Sequence, residues 1–397
     1  MGGLRALQAL EIAVSTYHFN EGHAVLAGLA LLCDKMQAGA DFHLAWRKTR
    51  KEIVFTTHTP IAAGNESHPL SRLRYMGAHQ GLTIEQLAEI GGTPFNMTVA
   101  GLRLSRRANS VAALHLETTK AMWRNVKGKA PLINITNGVH QPTWMDERLR
   151  QSSLTAAHVK RVHDENRNEL MALVEAKTGV RLNPQGLLVG FARRAAPYKR
   201  SDLIFSQLER IEPLLKQQRL QLIFSGKAHP MDSKGKEMLK KLAKAQQQYP
   251  ESVVFLENYD MALGALLTRG CDVWLNNPQR PKEACGTSGM KAAMNGVLNV
   301  SILDGWWPEA CRHAENGWAI GDETVPSTEA EQDRRDAEAL YQVLLEEVLP
   351  CFENQTKRWS EMMVNSILDT RENFSAMRMM KAYCADLYGM DEGTFNL

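Results

Sequence analysis

The sequence lacks an apolar run that could cross a membrane and an excess of charge of either sign. Its longest apolar stretch, residues 24–33, is about half of the ~20 residues that a membrane span needs. Lysine and arginine number 47 against 44 aspartate and glutamate residues, so the net charge is only +3. Binding of a polyanion by bulk charge is therefore not expected. These absences predict a protein that binds neither nucleic acid nor a membrane.

Paired cysteines are also absent. The six cysteines are scattered and form no CxxC motif, and in a chain without a secretory signal this indicates reduced thiols and a cytoplasmic location. The 397 residues, 44% of them hydrophobic and 23% charged, have the composition of a globular protein of two or three domains. A chain of this length can bury a core without disulfides or a structural metal ion.

Short apolar runs alternate with helical patterns between about residues 186 and 303. We predict buried strands over residues 187–191, 220–224, 253–256, 273–275 and 297–303. We predict amphipathic helices over residues 202–217, 232–248, 260–269 and 288–294. Pro213 should kink or break the first of these helices. Strict alternation of strand and helix predicts βαβ units and a parallel sheet, hence an α/β fold.

The flanking regions are less regular. Ahead of this region the sequence predicts strands over residues 53–57 and 132–135, and helices over residues 22–36, 109–123 and 146–178. After Glu329 the pattern is helical, and residues 362–380 are expected to form a long amphipathic tail.

Polar and cationic residues follow the predicted strands at the points where the strands end. RRAAPYKR at 193–200 follows the first strand, SGK at 225–227 the second, NNP at 276–278 the fourth and DGWW at 304–307 the fifth. Ligands of an open parallel sheet bind beyond the carboxyl ends of its strands. This edge is therefore expected to bind an anion and a polyol.

The segment EACGTSGMK at 283–291 carries the most information. Small residues before a helical pattern leave free backbone N–H groups at the start of a helix, which suits a phosphate, and Lys291 lies one turn further on. Taken alone, the segment is better explained by a helix cap followed by a surface lysine. It is not a Walker A loop, because the GxxxxGK[ST] spacing is absent.

Seven motifs together resemble the α-glucan phosphorylases, the glycogen and maltodextrin phosphorylase family, and in particular its shorter bacterial and archaeal branch. They run in the family's order: YHFNEGH at 17–23, FTTHTP at 55–60, NITNGVH at 134–140, RAAPYK at 194–199, FLENY at 255–259, EACGTSGMK at 283–291 and DGWW at 304–307. The resemblance implies a GT-B-type glycosyltransferase fold with two Rossmann-like lobes.

The resemblance also implies a domain organisation in which the N-terminal lobe is truncated. Residues 1–160 would be the C-terminal part of that lobe. Residues 161–365 would form the C-terminal Rossmann-like lobe, which binds pyridoxal phosphate. Residues 366–397 would be a helical tail that packs back on the N-terminal lobe.

The implied activity is reversible phosphorolysis of an α-1,4-glucan (glycogen, starch or maltodextrin) to glucose 1-phosphate with retained configuration. The implied cofactor is pyridoxal 5′-phosphate, whose 5′-phosphate exchanges a proton with the substrate phosphate, and Lys291 would form the Schiff base. Related nucleotide-sugar glycosyltransferases carry a second glutamate eight positions after the counterpart of Glu283, where this chain has Lys291. The implied partners are the glucan and inorganic phosphate or glucose 1-phosphate; a homodimer is compatible with the resemblance.

The resemblance assigns cations to the two phosphates, which repel each other strongly when close together. Arg194 and Lys199 would hold the substrate phosphate, the arginine as a planar fork and the lysine as a point charge. The residues implied around the cofactor, besides Lys291, are Arg193, Tyr259, Gly286, Thr287 and Ser288.

The resemblance also assigns residues to the sugar. Glu283 and Asn137 match positions that hydrogen-bond glucosyl hydroxyls, and His58 matches the histidine beside the reacting sugar. Two further residues would lie towards the acceptor subsite: Glu21 and His23.

Three residues have structural explanations that stay open beside the functional ones. An asparagine before glycine, such as Asn137, is commonly a turn residue. Trp306 and Trp307 could stack on sugar rings or belong to a core or a lobe interface.

Two alternatives to an active phosphorylase also remain. The chain could be an inactive or complementing fragment of a phosphorylase, or a nucleotide-sugar glucosyltransferase of the same fold. The second alternative is disfavoured by Lys291, because that position holds an amine and not a second carboxylate.

Overall fold

The computed structural model describes residues 1–61 and 64–390, and the chain divides into two compact units. Unit 1 comprises residues 1–136 together with the C-terminal segment from residue 379, and unit 2 comprises residues 137–378. Each unit contains helices and a parallel sheet. The α/β class and the parallel sheet are thereby confirmed. The lobe boundaries at residues 160 and 365 remain predictions.

The described part of unit 1 contains six strands, and four of them form a parallel sheet. Its strands are Tyr17–Asn20 (β1), Ile53–Thr56 (β2), Ser67–His68 (β3), Phe95–Asn96 (β4), Arg107–Ser110 (β5) and Leu132–Asn134 (β6). The sheet has the order β1-β2-β5-β6, with Tyr17 opposite Ile53, and β3 pairs separately with β4 in antiparallel fashion. All four residues of β2 are buried, as expected for an apolar strand in the interior of a covered parallel sheet.

Seven α-helices accompany the described strands of unit 1. They are Gly2–Ala9 (α1), Leu26–Gln37 (α2), Phe42–Glu52 (α3), Leu70–Tyr75 (α4), Ile84–Gly91 (α5), Met97–Leu104 (α6) and Ala113–Met122 (α7). A 3₁₀ turn at Gly22–Ala24 precedes α2. The core of this unit includes Leu29 and Leu32 of α2, Phe55 of β2 and Leu102 of α6, all fully buried. Burial of such side chains contributes about 1.5–3 kcal/mol each.

The predicted helix over residues 109–123 is wrong in its first part. Arg107–Ser110 is a strand, and the helix begins only at Ala113. The Asn109 side chain is buried in the sheet and accepts a hydrogen bond from the Thr56 hydroxyl at 2.6 Å. Small and polar residues on a central strand show no apolar run, so periodicity does not reveal it. Strand β1 was not predicted either.

Unit 2 is built on six parallel strands. They are Leu187–Ala192 (β7), Leu220–Ser225 (β8), Val253–Leu256 (β9), Val273–Asn276 (β10), Leu298–Ile302 (β11) and Gly317–Ile320 (β12). The order β12-β11-β10-β7-β8-β9 is that of a doubly wound sheet, in which the direction of strand addition reverses between the first and fourth strands, here β7 and β10. Five of these strands were predicted to within two residues; β12 was missed.

Helices cover the sheet of unit 2 and continue to its C-terminal end. The α-helices are Gln141–Trp144 (α8), Ala156–Thr178 (α9), Glu212–Lys216 (α10), Ser233–Gln248 (α11), Met261–Gly270 (α12), Thr287–Ala293 (α13), Trp307–Ala310 (α14), Glu329–Gln342 (α15), Leu349–Asn354 (α16) and Thr356–Arg371 (α17). Short 3₁₀ turns lie at Glu147–Leu149, Pro197–Lys199, Leu203–Phe205 and Leu208–Arg210, and a π-helical segment at Val343–Val348.

Three helix predictions in unit 2 were wrong in extent. The helix predicted over residues 146–178 begins only at Ala156, because the Thr155 hydroxyl caps it by accepting the His158 N–H at 3.2 Å.

Residues 202–217 form two 3₁₀ turns and the short α10. The Tyr341 hydroxyl donates to the Ile204 carbonyl at 2.7 Å and accepts from the Gln207 N–H at 2.9 Å. These backbone groups would pair with each other's neighbours in a continuous helix, so the hydroxyl replaces helical hydrogen bonds. The tail over residues 362–380 breaks after Arg371, where the Phe374 carbonyl accepts a hydrogen bond from the Val139 N–H at 2.9 Å.

The last helix, Ala376–Ala382 (α18), is followed by a π-helical turn at Tyr383–Tyr388. Tyr383 and Leu387 pack against Val54 and Ile135 in a separate small core of unit 1. Across the described residues, every helix is too short or too polar to span a lipid bilayer.

Candidate active site

The candidate site of unit 2 lies where the strand order reverses. The loop over residues 193–200 leaves the carboxyl end of β7, and the loop over residues 277–286 leaves the carboxyl end of β10. In doubly wound sheets the crevice at this reversal is where ligands bind. The fold therefore brings the two predicted motifs together at a position suited to a ligand.

A buried cluster of two cations and one carboxylate occupies this position. The Lys199 Nζ lies 2.8 Å and 2.6 Å from the two carboxylate oxygens of Glu283, and the Arg193 Nη1 lies 3.0 Å from the Glu283 Oε2. Burial pushes the pKa of Glu283 upward, but Arg193 and Lys199 outweigh it, and the pKa falls below its ordinary value. Glu283 is therefore ionised, and its charge is compensated by the two cations.

The pKa of Lys199 is lowered to about 8, chiefly by burial and then by the neighbouring Arg193, against the opposing effect of Glu283. Arg194 differs from both: its side chain is exposed and lies beside the Tyr198 hydroxyl. The loop thus presents one accessible guanidinium next to a buried, internally paired cation.

The Glu283 backbone is held by a carboxylate that the sequence analysis did not single out. The Asp304 Oδ2 accepts the Glu283 N–H at 2.9 Å and its Oδ1 accepts the Gly305 N–H at 2.8 Å. Burial raises the pKa of Asp304 to about 7. Gly305 has φ +60°, and a Cβ there would lie 2.2 Å from the Cys285 carbonyl oxygen, so only glycine fits. The DGWW motif contained this signal, an aspartate and a glycine directly after a strand.

The helix α13 begins with a conformation that leaves room for an anion. Its N-cap, Gly286, has φ +85° and supplies no side-chain cap. A Cβ on Gly286 would lie 3.3 Å from the Arg193 Nη2, so the guanidinium faces the space that a side chain would fill. Thr287 and Ser288 are the first two residues of this helix, and the Ser288 Oγ accepts a hydrogen bond from the Trp274 Nε1 at 3.2 Å.

Lys291 lies further along α13 and contacts an aromatic ring. Its Nζ is 3.2 Å from the centroid of the Trp144 ring, a cation–π contact. Burial lowers the pKa of Lys291 to about 8. Trp144 was not among the predicted site residues. It lies after the motif that ends at residue 140, and it precedes Lys291 by 147 positions in the sequence.

Asn137 and Tyr259 lie near the same elements. The Asn137 N–H faces the buried thiol of Cys285, next to the loop that carries Glu283, and its carbonyl accepts a hydrogen bond from the Arg378 Nη2 at 3.0 Å. The Tyr259 hydroxyl packs on α12, 2.6 Å from where a Cβ on Gly264 would lie. Burial raises the pKa of Tyr259, and the Arg193 guanidinium lies close enough to oppose that shift.

The predicted site residues of unit 1 form a cluster of their own. The Glu21 Oε2 accepts the His58 N–H at 2.7 Å, and the His58 Nε2 lies 2.6 Å from the Asn20 Oδ1. Burial lowers the pKa of His58, with Glu21 opposing the shift and the exposed His23 adding to it. Glu21 has φ +83°, a strained conformation for a residue with a side chain. The structure thus joins His58, Glu21 and His23 at the ends of β1 and β2.

Trp306 and Trp307 belong to the core. Each is only 1% exposed, their ring centroids are 5.2 Å apart, and Trp306 also packs edge-on against Phe374. These rings are therefore core residues, and the interpretation that they stack on a sugar is wrong.

Comparison with known proteins gives one family. Residues 147–388 match the family model described as carbohydrate phosphorylase. The chain is 36% identical to a maltodextrin phosphorylase of Thermococcus litoralis, over 98% of this chain and 52% of that protein, and 33% identical to a glycogen phosphorylase of Aquifex aeolicus, over 98% and 64%. It is 32% identical to an uncharacterized protein of Methanocaldococcus jannaschii, over 98% and 72%. The chain spans about half the length of the first of these relatives.

Proposed function

The chain belongs to the carbohydrate phosphorylase family, and we propose that it catalyses reversible phosphorolysis of an α-1,4-glucan to glucose 1-phosphate with retention. The observation that carries this proposal is the buried Lys199–Glu283–Arg193 cluster at the sheet reversal, with Lys291 on the helix that follows. We also propose that units 1 and 2 are the two Rossmann-like lobes of a GT-B-type fold.

The described residues fit pyridoxal 5′-phosphate. Lys291 offers a half-buried amine with a pKa of about 8, so a large part of it is neutral and nucleophilic near that pH. The start of α13, without a side-chain cap and faced by Arg193, is the place for the cofactor's phosphate. Thr287, Ser288 and Tyr259 would line the remainder of the pocket. When bound, the cofactor supplies a phosphate that can donate and accept a proton.

The substrate phosphate would bind to Arg194 and Lys199. Arg194 is exposed and offers a planar pair of donors, and Lys199 adds a positive charge. Because the pKa of Glu283 is lowered, the proton between Lys199 and Glu283 stays on the Lys199 Nζ. Lys199 can therefore attract a phosphate oxygen without transferring its proton to the neighbouring carboxylate.

Glu283 and Asn137 would orient the glucosyl unit, and the family resemblance alone assigns His58 a role towards the sugar. Glu283 is suited to this because Asp304 fixes its backbone and its carboxylate is ionised, and a charged acceptor forms the stronger hydrogen bonds to sugar hydroxyls.

The described cysteines are all free thiols, which supports the proposed cytoplasmic location.

The proposal is tested by attachment of the cofactor. The chain is purified with pyridoxal phosphate, its absorbance is recorded, the complex is reduced with borohydride and the modified peptide is mapped. We expect the label on Lys291 and none in Lys291→Ala. The control is Lys282→Ala, whose lysine lies directly before the 283–291 segment and pairs with Glu329, and it should label normally.

Turnover is then measured as glucose 1-phosphate formed from maltodextrin and inorganic phosphate. A folded chain that carries no label on Lys291 would contradict the cofactor assignment and favour a nucleotide-sugar transferase. A labelled chain that forms no glucose 1-phosphate would favour the non-catalytic alternative.

A further inference from the structure

Arg200 follows Lys199 in sequence, but its side chain is engaged elsewhere. It is 5% exposed. Its Nε donates to the Asn277 carbonyl at 2.9 Å and its Nη2 to the Pro278 carbonyl at 2.8 Å. These carbonyls belong to the loop that leads from β10 to Glu283. The guanidinium therefore ties the loop after β7 to the loop after β10.

Two carboxylates of α15 hold the same guanidinium from the other side. The Arg200 Nη1 lies 2.8 Å from the Asp333 Oδ1, and the Nη2 lies 2.7 Å from the Asp336 Oδ2. The Asp336 side chain is 17% exposed and that of Asp333 is 44% exposed, so Asp336 is the better shielded partner. A fork of several fixed N–H donors suits this fourfold arrangement, which the single ammonium of a lysine could not reproduce.

Further hydrogen bonds reinforce the same junction. The Asn277 Nδ2 donates to the Arg200 carbonyl at 3.2 Å, and the Gln279 N–H donates to the Tyr198 carbonyl at 2.8 Å. The Gln279 Nε2 also reaches the Asp333 Oδ1, at 3.1 Å. The two loops are thus joined directly on either side of Lys199.

The backbone of Arg200 explains how neighbouring residues serve different places. Its φ is 50° and its ψ is 49°, in the left-handed region. This turn lets Lys199 reach Glu283 while Arg200 reaches the carbonyls and α15. Lys199 and Glu283 come from two different loops, so the 2.6–2.8 Å separation of their charged atoms depends on the registration of those loops.

We propose that Arg200, held by Asp333 and Asp336, is a positioning residue that keeps Lys199 and Glu283 in register for the substrate phosphate and the sugar. The identity of the ligands of Lys199 and Glu283 rests on the proposed function. It assigns to α15, which carries no predicted site residue, a role in the geometry of the site.

The test uses three variants of the full chain: Arg200→Gln, Arg200→Lys and Asp336→Asn. The control is Arg210→Gln, because the Arg210 Nη1 also pairs with a carboxylate of α15, Glu338, at 2.9 Å, but on the surface. Accessibility of each lysine is measured as its rate of acetylation, read by mass spectrometry, in the folded protein at fixed pH. The chain is prepared without pyridoxal phosphate, so that Lys291 in the same sample is a free amine and reports general loosening of the fold.

We expect acetylation of Lys199 to accelerate about tenfold or more in Arg200→Gln and by a smaller factor in Arg200→Lys and Asp336→Asn, because each breaks a buried charge contact. The acetylation rate of Lys291 should stay unchanged in these variants, and that of Lys199 should stay unchanged in the Arg210→Gln control. In the active enzyme the same variants should raise the KM for phosphate more than they lower kcat.

Two outcomes would overturn the inference: an unchanged Lys199 rate in the folded variants, or equal acceleration at Lys199 and Lys291, which would indicate only a structural role. If Arg200→Gln does not fold, Arg200→Lys and Asp336→Asn decide. The acetylation measurement needs no turnover. A wild-type chain that forms no glucose 1-phosphate would therefore contradict the proposed function while the labelling still decides the role of Arg200.

Discussion

Lys199 and Lys291 lie in the same unit and both have a pKa of about 8, yet their surroundings differ. Lys199 contacts both carboxylate oxygens of Glu283, and burial and Arg193 lower its pKa against the pull of that carboxylate. Lys291 contacts the face of Trp144, and burial alone accounts for its shift among the described residues.

Two lysines with the same pKa are thus suited to opposite chemistry. If Lys199 lost its proton, Glu283 would lose one of its two counter-charges in a buried site, so Lys199 is suited to remain a cation and bind an anion. Lys291 can lose its proton without leaving a carboxylate uncompensated, so it is suited to act as a nucleophile. The partner, and not the pKa, separates the two roles.

The largest expected effect comes from removing the counter-charge of Lys199. Glu283→Gln leaves Lys199 and Arg193 buried without their carboxylate, which should reduce the free energy of unfolding by about 3–5 kcal/mol. Chemical denaturation measures this. Glu331→Gln, which breaks an exposed pair with Arg334, should cause little change and serves as the control. A loss in Glu283→Gln as small as in the control would show that the buried pair is not coupled.

The next effect concerns the pH dependence of stability. The pKa of Lys291 is about 8 in the folded chain and near 10.5 when unfolded, so between these values the unfolded chain binds more protons and stability rises with pH. Lys291→Met should lack this rise, a difference of about 2–3 kcal/mol across the interval. Denaturation of both proteins at pH 8 and pH 10 checks it; parallel pH dependences would contradict it.

A smaller effect separates the two lysines directly. Because Glu283 raises the pKa of Lys199, Glu283→Gln should lower that pKa by about one unit and leave the pKa of Lys291 unchanged. Acetylation rates at each lysine across a pH series give both values in one sample. Equal shifts at the two lysines would mean that the substitution alters the fold and not the local charge.

The smallest effect concerns the aromatic partner. Trp144→Phe keeps an apolar ring beside Lys291 but weakens the cation–π contact, which is strongest for tryptophan, so the pKa of Lys291 should fall by less than about one unit. The same acetylation series measures it. A rise in the pKa would indicate that Trp144 acts mainly by excluding water.

The sequence predicted most of the sheet of unit 2 and the cations and carboxylate of its site. Its strands are apolar runs buried on both faces, which are recognisable without knowledge of their neighbours. Strand β5 is short and polar, and only its position between β2 and β6 makes it a strand. Family motifs supplied Lys199, Glu283 and Lys291.

Other parts of the site could not be read from the sequence, because they depend on contacts between distant positions. Arg200 acts through residues 77 to 136 positions away, and Trp144 meets Lys291 only because α8 and α13 fold together. Asp304 was visible as a residue after a strand, but its hydrogen bond to the Glu283 N–H was not. Tertiary contacts decided these cases, and local pattern did not.

The break in the helices after Arg371 has a consequence for the order in which the two units are completed during translation. Val139 is hydrogen-bonded to Phe374 and Ala376, so the chain enters and leaves unit 2 at adjacent points, as in an inserted domain. Unit 2 is one continuous segment, residues 137–378. Unit 1 needs Tyr383 and Leu387 for its second core, so that core cannot form until residues 383–387 have been translated, after the whole of unit 2.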